Sequence, residues 1–236
     1  KQDAGTLSIA TTHSQARYFL PEPIAQLRKR FPKVNISLHQ GSPDQVARMV
    51  IEEVAEMGLA TEALAAHDEL VTLPCYEWQH ALVMPAGHPL AQLERIELED
   101  LALQPLVSYH PSFSGRTRVD QAFAARRLKP NIVLEAIDAD VIKTYVRLGL
   151  GIGIVASMAI DPKEDADLVQ IDTSHVFPAH TTWIGFRRGG LLRKYQLDFM
   201  QLFAPHLTRR LIERAAHAAT QADVEDLVRD LELPTK

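Results

Sequence analysis

The chain has 236 residues, of which 46% are hydrophobic and 23% are charged, and its formal net charge is -5. A chain of this size can bury a substantial core as one large domain or as two small ones. The negative charge argues against direct binding of nucleic acid, which needs a positive surface. No apolar run approaches the roughly 18 to 20 residues that a membrane span requires.

The first third of the chain alternates between strand and helix patterns. Strands are predicted over 6–12, 34–40 and 57–61, and two longer helices lie between them. The first of these helices restarts at Pro21, a residue that suits the first helical position, and the second is capped by Ser42 with a glutamine three residues later. This order is typical of a right-handed parallel α/β unit.

The same alternation begins again in the middle of the chain. Residues 70–85 contain two extended runs, which we expect to be broken around Pro74. The predicted segments that follow are a strand (105–110), a helix (115–128), a strand (131–137), a helix (138–150) and a strand (151–157). The chain is therefore expected to form two similar halves.

The last part of the chain returns to the first half. A lone strand is predicted over 180–188. The helix after it has an apolar face that must pack against a sheet, and we expect this to be the sheet of the first half. We expect subdomain I to comprise 1–76 and 181–236, and subdomain II to comprise 77–180. The tail is predicted to be helical from Thr208 onwards, and it either packs on the first half or contacts another subunit.

No catalytic constellation is evident in the sequence. The ten histidines show neither HExxH nor HxH spacing, so no metal site is predicted. The glycines of 149–153 close a helix and open a strand, which is the reverse of a dinucleotide loop. The segment 112–116 lacks the first glycine of a nucleophile elbow. We expect neither an enzyme nor a bound cofactor, and we expect Cys75 to be a small buried residue.

Uncharged hydrogen-bonding side chains gather where the predicted strands end. Thr12, Ser14 and Gln15 follow the first strand, Thr61 closes the third strand, and Ser114 follows a strand of the second half. Ligands of open parallel sheets bind beyond the carboxyl ends of the strands, and several such donors hold a carboxylate or sulfate without a counter-charge. The alternative is ordinary helix capping, and the sequence leaves both open.

Several strings in this sequence resemble one family closely. They are ATTHSQARYFLP (10–21), HQGSPDQVA (39–47), ATEAL (60–64), LPCYEW (73–78) and DADVIKTYVRLGLGIGIVASMA (138–159), with IGFRR and FAPHLTR closer to the C-terminus. They are similar to the effector-binding domain of LysR-type transcription regulators, and among these to regulators of cysteine biosynthesis and sulfur assimilation. The similarity extends over essentially the whole chain.

The resemblance implies an α/β fold of two Rossmann-like subdomains joined by two crossover strands, similar to type-2 periplasmic binding proteins, with an inducer in the cleft. In this family a separate N-terminal winged helix-turn-helix domain binds DNA, and its absence here would explain the start at Lys1 and the acidic charge. The resemblance further implies a cytoplasmic homodimer or homotetramer, whose expected contacts are the exposed faces of 34–40 and 43–54. No membrane partner is expected.

The resemblance also implies the ligand, which is N-acetylserine as inducer, with a sulfate-like anion as another occupant of the cleft. The residues that match the family's binding motifs are Thr12, Ser14, Gln15, Thr61, Trp78 and Ser114. Family members carry Thr at two of these positions, where this chain keeps the hydroxyl as Ser14 and Ser114. The residues alone leave Trp78 as either a ligand contact or a packing group. They also leave a second class of protein open, a periplasmic solute-binding protein for a small oxyanion.

Overall fold

The structure, a computed structural model, describes residues 3–236. The chain divides into two compact units. The first unit comprises the residues up to Glu77 together with Thr181–Thr235, and the second unit comprises Trp78–His180. Within the described chain, no helix has the length and hydropathy that crossing a bilayer would demand.

The first unit is built on a mixed sheet of five strands. These are β1 (Ala4–Thr11), β2 (Lys33–Gln40), β3 (Met57–Ala60), β4 (Leu70–Trp78) and β10 (His180–Arg187), in the spatial order β2-β1-β3-β10-β4. Strand β1 pairs in parallel with both β2 and β3, as predicted, whereas β10 runs antiparallel to β3. The carboxyl ends of β1 and β3 therefore meet at one edge of the sheet.

The helices of the first unit are α1 (His13–Tyr18), α2 (Pro21–Arg30), α3 (Pro43–Ile51), α7 (Lys194–Phe203), α8 (Arg209–Ala216) and α9 (Gln221–Val228). Helices α2 and α3 begin at Pro21 and directly after Ser42, as the sequence indicated. The N–H of Ser42 donates to the side chain of Gln45 (2.9 Å) at the start of α3. Helix α7 covers the first sheet, as its apolar face required: the rings of Phe31 and Tyr195 are 6.4 Å apart, and the Tyr195 hydroxyl donates to the carbonyl of Thr6.

The predicted break at Pro74 is wrong. Strand β4 runs through Pro74 without interruption, and Gln79 is the one residue that separates it from β5 (His80–Pro85). Strand β4 lies at the edge of its sheet, where the missing N–H of a proline removes no ladder hydrogen bond. The carbonyl of Pro74 still accepts a hydrogen bond, from Nε2 of His206 (2.9 Å).

The tail forms two helices rather than one helical run, because Thr220 caps a new helix with its hydroxyl. It packs on the first unit, which is one of the two positions that the sequence left open. The side-chain amide of Gln221 accepts from the N–H of Thr72 (3.2 Å) and donates to its carbonyl (3.3 Å). The N–H of Glu77 donates to the carbonyl of Pro234 (2.9 Å). The tail thus covers the exposed edge of β4.

The second unit repeats the architecture around another mixed sheet. Its strands are β5, β6 (Pro105–Tyr109), β7 (Asn131–Ala136), β8 (Ile152–Ala156) and β9 (Leu168–Asp172), in the order β7-β6-β8-β5-β9, and its helices are α4 (Leu98–Ala102), α5 (Ser114–Ala125) and α6 (Ala139–Arg147). Strand β6 is parallel to β7 and β8, whereas β5 is antiparallel to β8 and β9. The sequence did not predict α4 and β9, since five residues show too little of either periodicity.

Candidate functional site

Two of the predicted binding hydroxyls lie at one edge of the first sheet. Thr11 of β1 is aligned with Leu59 of β3 in the parallel ladder. Thr12 is the residue directly after β1, and Thr61 is the residue directly after β3. Thr61 is buried and Thr12 is half-buried. The structure therefore brings these two residues to the carboxyl edge of neighbouring strands, where ligands of α/β sheets bind.

Helix capping does not account for these two threonines. Thr12 precedes α1 and Thr61 precedes a short 3-10 turn, yet neither hydroxyl accepts a capping hydrogen bond. Other threonines of the first unit do cap: the hydroxyls of Thr208 and Thr220 each accept from a backbone N–H three residues later, at 3.2 Å. The comparison favours binding over capping for Thr12.

Gln15 is turned into the first unit. Its side chain is 3% exposed, and its Nε2 donates to the hydroxyl of Thr182 (3.1 Å) while Tyr76 donates its O–H to Oε1. Burial raises the pKa of the Tyr76 phenol well above its usual value, so the group stays protonated and can donate. This network joins α1 to β4 and β10. Ligand binding by the Gln15 amide therefore stays a prediction that rests on its second Nε2 hydrogen.

The partners of Gln15 could not be found from the sequence. Tyr76 and Thr182 lie 61 and 167 residues away from it along the chain. Both are one residue from the boundary between the units. The nearest signal in the sequence is the placement of both residues in predicted extended segments. Ser14, the second residue of α1, is half-buried.

The second unit carries the remaining two predicted residues. Ser114 is the first residue of α5, and Trp78 begins the unit at the end of β4. The indole of Trp78 is 6% exposed and stacks on the imidazole of His180, with ring centroids 4.5 Å apart and planes at 21°. Trp78 is therefore a packed residue whose accessible edge is small, and its role as a ligand contact stays a prediction.

Gly115 brings Trp78 close to the start of α5. A Cβ atom placed on Gly115 would lie 3.0 Å from Nε2 of His80 and 4.0 Å from Cη2 of Trp78. The distance to Trp78 is an ordinary contact, whereas the distance to His80 is tight, so a side chain at position 115 would require the imidazole to shift by a few tenths of an ångström. Residue Ser114 is the neighbour of this contact, so the structure places Trp78, His80 and the first turn of α5 together.

His80 is a residue of this region that the sequence did not single out. It is 1% exposed, and neither of its ring nitrogens has a hydrogen-bond partner among residues 3–236. Burial first, and then the neighbouring His180 and Arg118, hold the pKa of the His80 imidazole well below its usual value, so it is neutral at pH 7. A buried polar group without a partner costs about 1–3 kcal/mol, and such a group calls for an explanation.

The comparisons with known proteins identify the class. The family model described as the LysR substrate binding domain matches residues 1–208. The chain therefore belongs to this family of effector-binding domains of transcription regulators. The predicted α/β fold of two Rossmann-like subdomains is confirmed, because a solved structure, the cofactor-binding domain of the Cbl transcriptional regulator, superposes with a TM-score of 0.87. It is 44% identical and covers 91% of this chain and 95% of that one.

Two regulators of Burkholderia cenocepacia are close in sequence. The HTH-type transcriptional regulator CysB is 52% identical over 214 residues, which are 91% of this chain and 68% of the relative. The HTH-type transcriptional regulator SsuR is 52% identical over 206 residues, which are 87% of this chain and 67% of the relative. Because these relatives are regulators and the neighbouring structures are regulator domains, the prediction that the chain is not an enzyme is confirmed.

Proposed function

We propose that this domain senses the sulfur supply for a transcription activator of cysteine biosynthesis and sulfur assimilation by binding N-acetylserine or a sulfate-like anion. The observation that carries the proposal is the pair Thr12 and Thr61. Both residues directly follow neighbouring parallel strands, and the hydroxyl of Thr12 accepts no capping hydrogen bond. The similarity to regulators named CysB and SsuR supports the choice of ligand class.

The predicted binding residues can hold an anion but are unsuited to chemistry on it. Hydroxyl and amide groups donate hydrogen bonds to a carboxylate or sulfate, and such charge-assisted bonds are stronger than neutral ones. No described residue among the six carries a formal charge. A ligand would therefore be bound and released unchanged, as sensing requires. In this proposal Thr12, Ser14, Gln15, Thr61, Trp78 and Ser114 are the ligand-binding residues.

Binding alone does not regulate, so the ligand must favour one arrangement of the protein over another. We expect that effect to reach DNA through an N-terminal winged helix-turn-helix domain, which the family resemblance supplies, in a cytoplasmic homodimer or homotetramer. The rival class, a periplasmic solute-binding protein, is disfavoured because the relatives of this chain are named as HTH-type regulators.

Calorimetric titration with N-acetylserine and, separately, with sulfate tests the proposal. Thr12→Ala and Thr61→Val each remove one hydroxyl. A hydrogen bond to a charged group contributes about 1.5–3 kcal/mol, so each variant should bind roughly tenfold to a hundredfold more weakly.

Thr6→Ala is the matched control for this experiment. Thr6 lies near the amino end of β1, the strand that Thr12 directly follows, and its side chain is exposed. This variant should bind both ligands like the wild type. Unchanged affinity in both Thr12→Ala and Thr61→Val, or an equal loss in the control, would remove the assignment of the site.

A further inference from the structure

A triangle of hydrogen bonds joins α1 to two strands of the first unit. The phenol of Tyr76 on β4 donates to Oε1 of Gln15, and Nε2 of Gln15 donates to the hydroxyl of Thr182 on β10 (3.1 Å). The side chains of Thr182 and Tyr76 are also hydrogen-bonded to each other. Because the single phenol hydrogen goes to Gln15, the hydroxyl of Thr182 is the donor to Tyr76. Each of the three buried side chains therefore both donates and accepts within the triangle.

Helix α1 depends on the triangle because the helix is short and has little buried surface of its own. It has 6 residues, and isolated helices shorter than about 12 residues are marginal in water. Gln15 is the one buried residue of α1, whose six residues all belong to the described part of the chain. The carbonyl of Gln15 also accepts from the N–H groups of Phe19 (3.1 Å) and Leu20 (2.9 Å). A change that releases Gln15 should therefore loosen α1 as a whole.

The triangle also connects the two threonines of the proposed anion site. Thr12 directly precedes α1. On the other side, Trp183 of β10 is aligned with Ala60 of β3, and Thr61 follows Ala60. Thr182 is the neighbour of Trp183 along β10, so it lies beside the end of β3. Its hydrogen bond to α1 thus holds the helix that begins after Thr12 against the strand that lies next to Thr61.

We propose that Tyr76 and Thr182 are positioning residues that anchor α1 through Gln15. The anchored helix holds the hydroxyl of Thr12 in the place, relative to Thr61, that ligand binding requires. This inference rests on the proposed function, in which these two threonines bind the anion. Opening the triangle should weaken N-acetylserine and sulfate alike, because both ligands use the same hydroxyls.

Calorimetry on the whole chain tests the effect on binding, with N-acetylserine and sulfate as the probes. Thr182→Val removes the hydroxyl and keeps the shape of the side chain, and Tyr76→Phe opens the triangle from the other strand. Each variant should bind both ligands about threefold to tenfold more weakly, the range of one neutral hydrogen bond. Thr182→Ser keeps the hydroxyl and should restore both affinities to within about twofold of the wild type.

Hydrogen exchange of the ligand-free chain tests the anchor independently of any ligand. The N–H groups of Phe19 and Leu20 close α1 on the carbonyl of Gln15, and their exchange reports local opening of this segment. In Thr182→Val and Tyr76→Phe these N–H groups should exchange about threefold to tenfold faster, again the range of one hydrogen bond. Exchange in β2 should not change.

Thr72→Val is the matched control. Thr72 is fully buried in β4, a strand of the same sheet, and its hydroxyl has no hydrogen-bond partner among residues 3–236. This variant should bind and exchange like the wild type. The inference is overturned if Thr182→Val binds both ligands like the wild type, if exchange at Phe19 and Leu20 is unchanged, or if Thr72→Val reproduces either effect. A wild-type chain that binds neither ligand would instead refute the proposed function, and this inference with it.

Discussion

A buried ion pair in the second unit yields a stability prediction that the structure makes quantitative. Lys143 of α6 donates to Oδ2 of Asp165 (2.8 Å) and to the carbonyl of Ala159 (2.7 Å), and the two charged side chains are 4% and 3% exposed. The carboxylate also accepts from Arg147 (2.7 Å) and from the N–H of Asp161 (2.8 Å). The pair ties α6 to the loop after β8.

Removing one partner of such a pair leaves the other charge buried. Replacement of a single member of a buried pair costs about 3–5 kcal/mol, but Asp165 would keep Arg147 and one N–H. We therefore expect Lys143→Met to lower the free energy of unfolding by about 2–4 kcal/mol, measured by urea denaturation. In the double variant Lys143→Met/Asp165→Asn the two losses should not add, because both substitutions remove the same interaction.

Arg95→Ala provides the matched control in the same unit. Arg95 and Glu97 form an ion pair of 2.6 Å, but their side chains are 64% and 40% exposed. A surface pair contributes between 0 and about 1 kcal/mol, so this variant should stay close to the wild type. A cost below about 1 kcal/mol for Lys143→Met, or equal costs for both variants, would refute the reasoning.

The same pair predicts a pH dependence. Burial alone would raise the pKa of the Asp165 carboxyl, but hydrogen bonds from Lys143, Asp161 and Arg147 outweigh it and hold the pKa below its usual value. A carboxyl whose pKa is lowered by folding stabilises the protein above the unfolded value, near pH 4, and loses that contribution as the pH falls through the folded value. The wild type should therefore lose more stability than Lys143→Met between about pH 5 and pH 2.

Three further predictions follow from single contacts. Gln221→Leu removes both hydrogen bonds to Thr72 and should cost about 1–3 kcal/mol in urea denaturation, with light scattering revealing association through the uncovered edge of β4. Tyr76→Phe leaves the buried Oε1 of Gln15 without the tyrosine's hydrogen bond and should cost a similar amount, whereas no loss would show that the contact contributes nothing. Cys75 is buried and burial raises its pKa, so native protein should resist a thiol reagent that modifies it in 6 M urea; rapid native labelling would contradict its burial.

The fold was predictable because its signals are local. Pro21 and Pro43 mark helix starts through their fixed φ, and alternating apolar residues mark β1. The prediction of a break at Pro74 was wrong because the free-energy cost of a proline in a strand depends on whether that strand lies at the edge of its sheet. The local sequence does not show which strands are neighbours in the sheet. The tail was placed correctly as helical, but only the structure shows that Gln221 pairs with β4.

The candidate site was predictable in part for the same reason. Thr12 and Thr61 stand at the ends of strands that the pattern located, so their common edge followed from topology. The sequence also predicted Gln15 as a ligand donor, but Tyr76 and Thr182, which are distant along the chain, form hydrogen bonds with its side-chain amide. His80 gave no signal in the local sequence, because its burial and its close contact with Gly115 arise only in the folded chain.

The central proposal is that the hydroxyls of Thr12 and Thr61, at the ends of neighbouring strands, bind one small acid. The most direct measurement is the stoichiometry and affinity of N-acetylserine for the wild type, Thr12→Ala and Thr61→Val by calorimetry. The account predicts one ligand per chain and a loss of roughly tenfold or more in each variant, since each removes a hydrogen bond to the same molecule. Full affinity in either variant, or two independent binding events per chain, would contradict it.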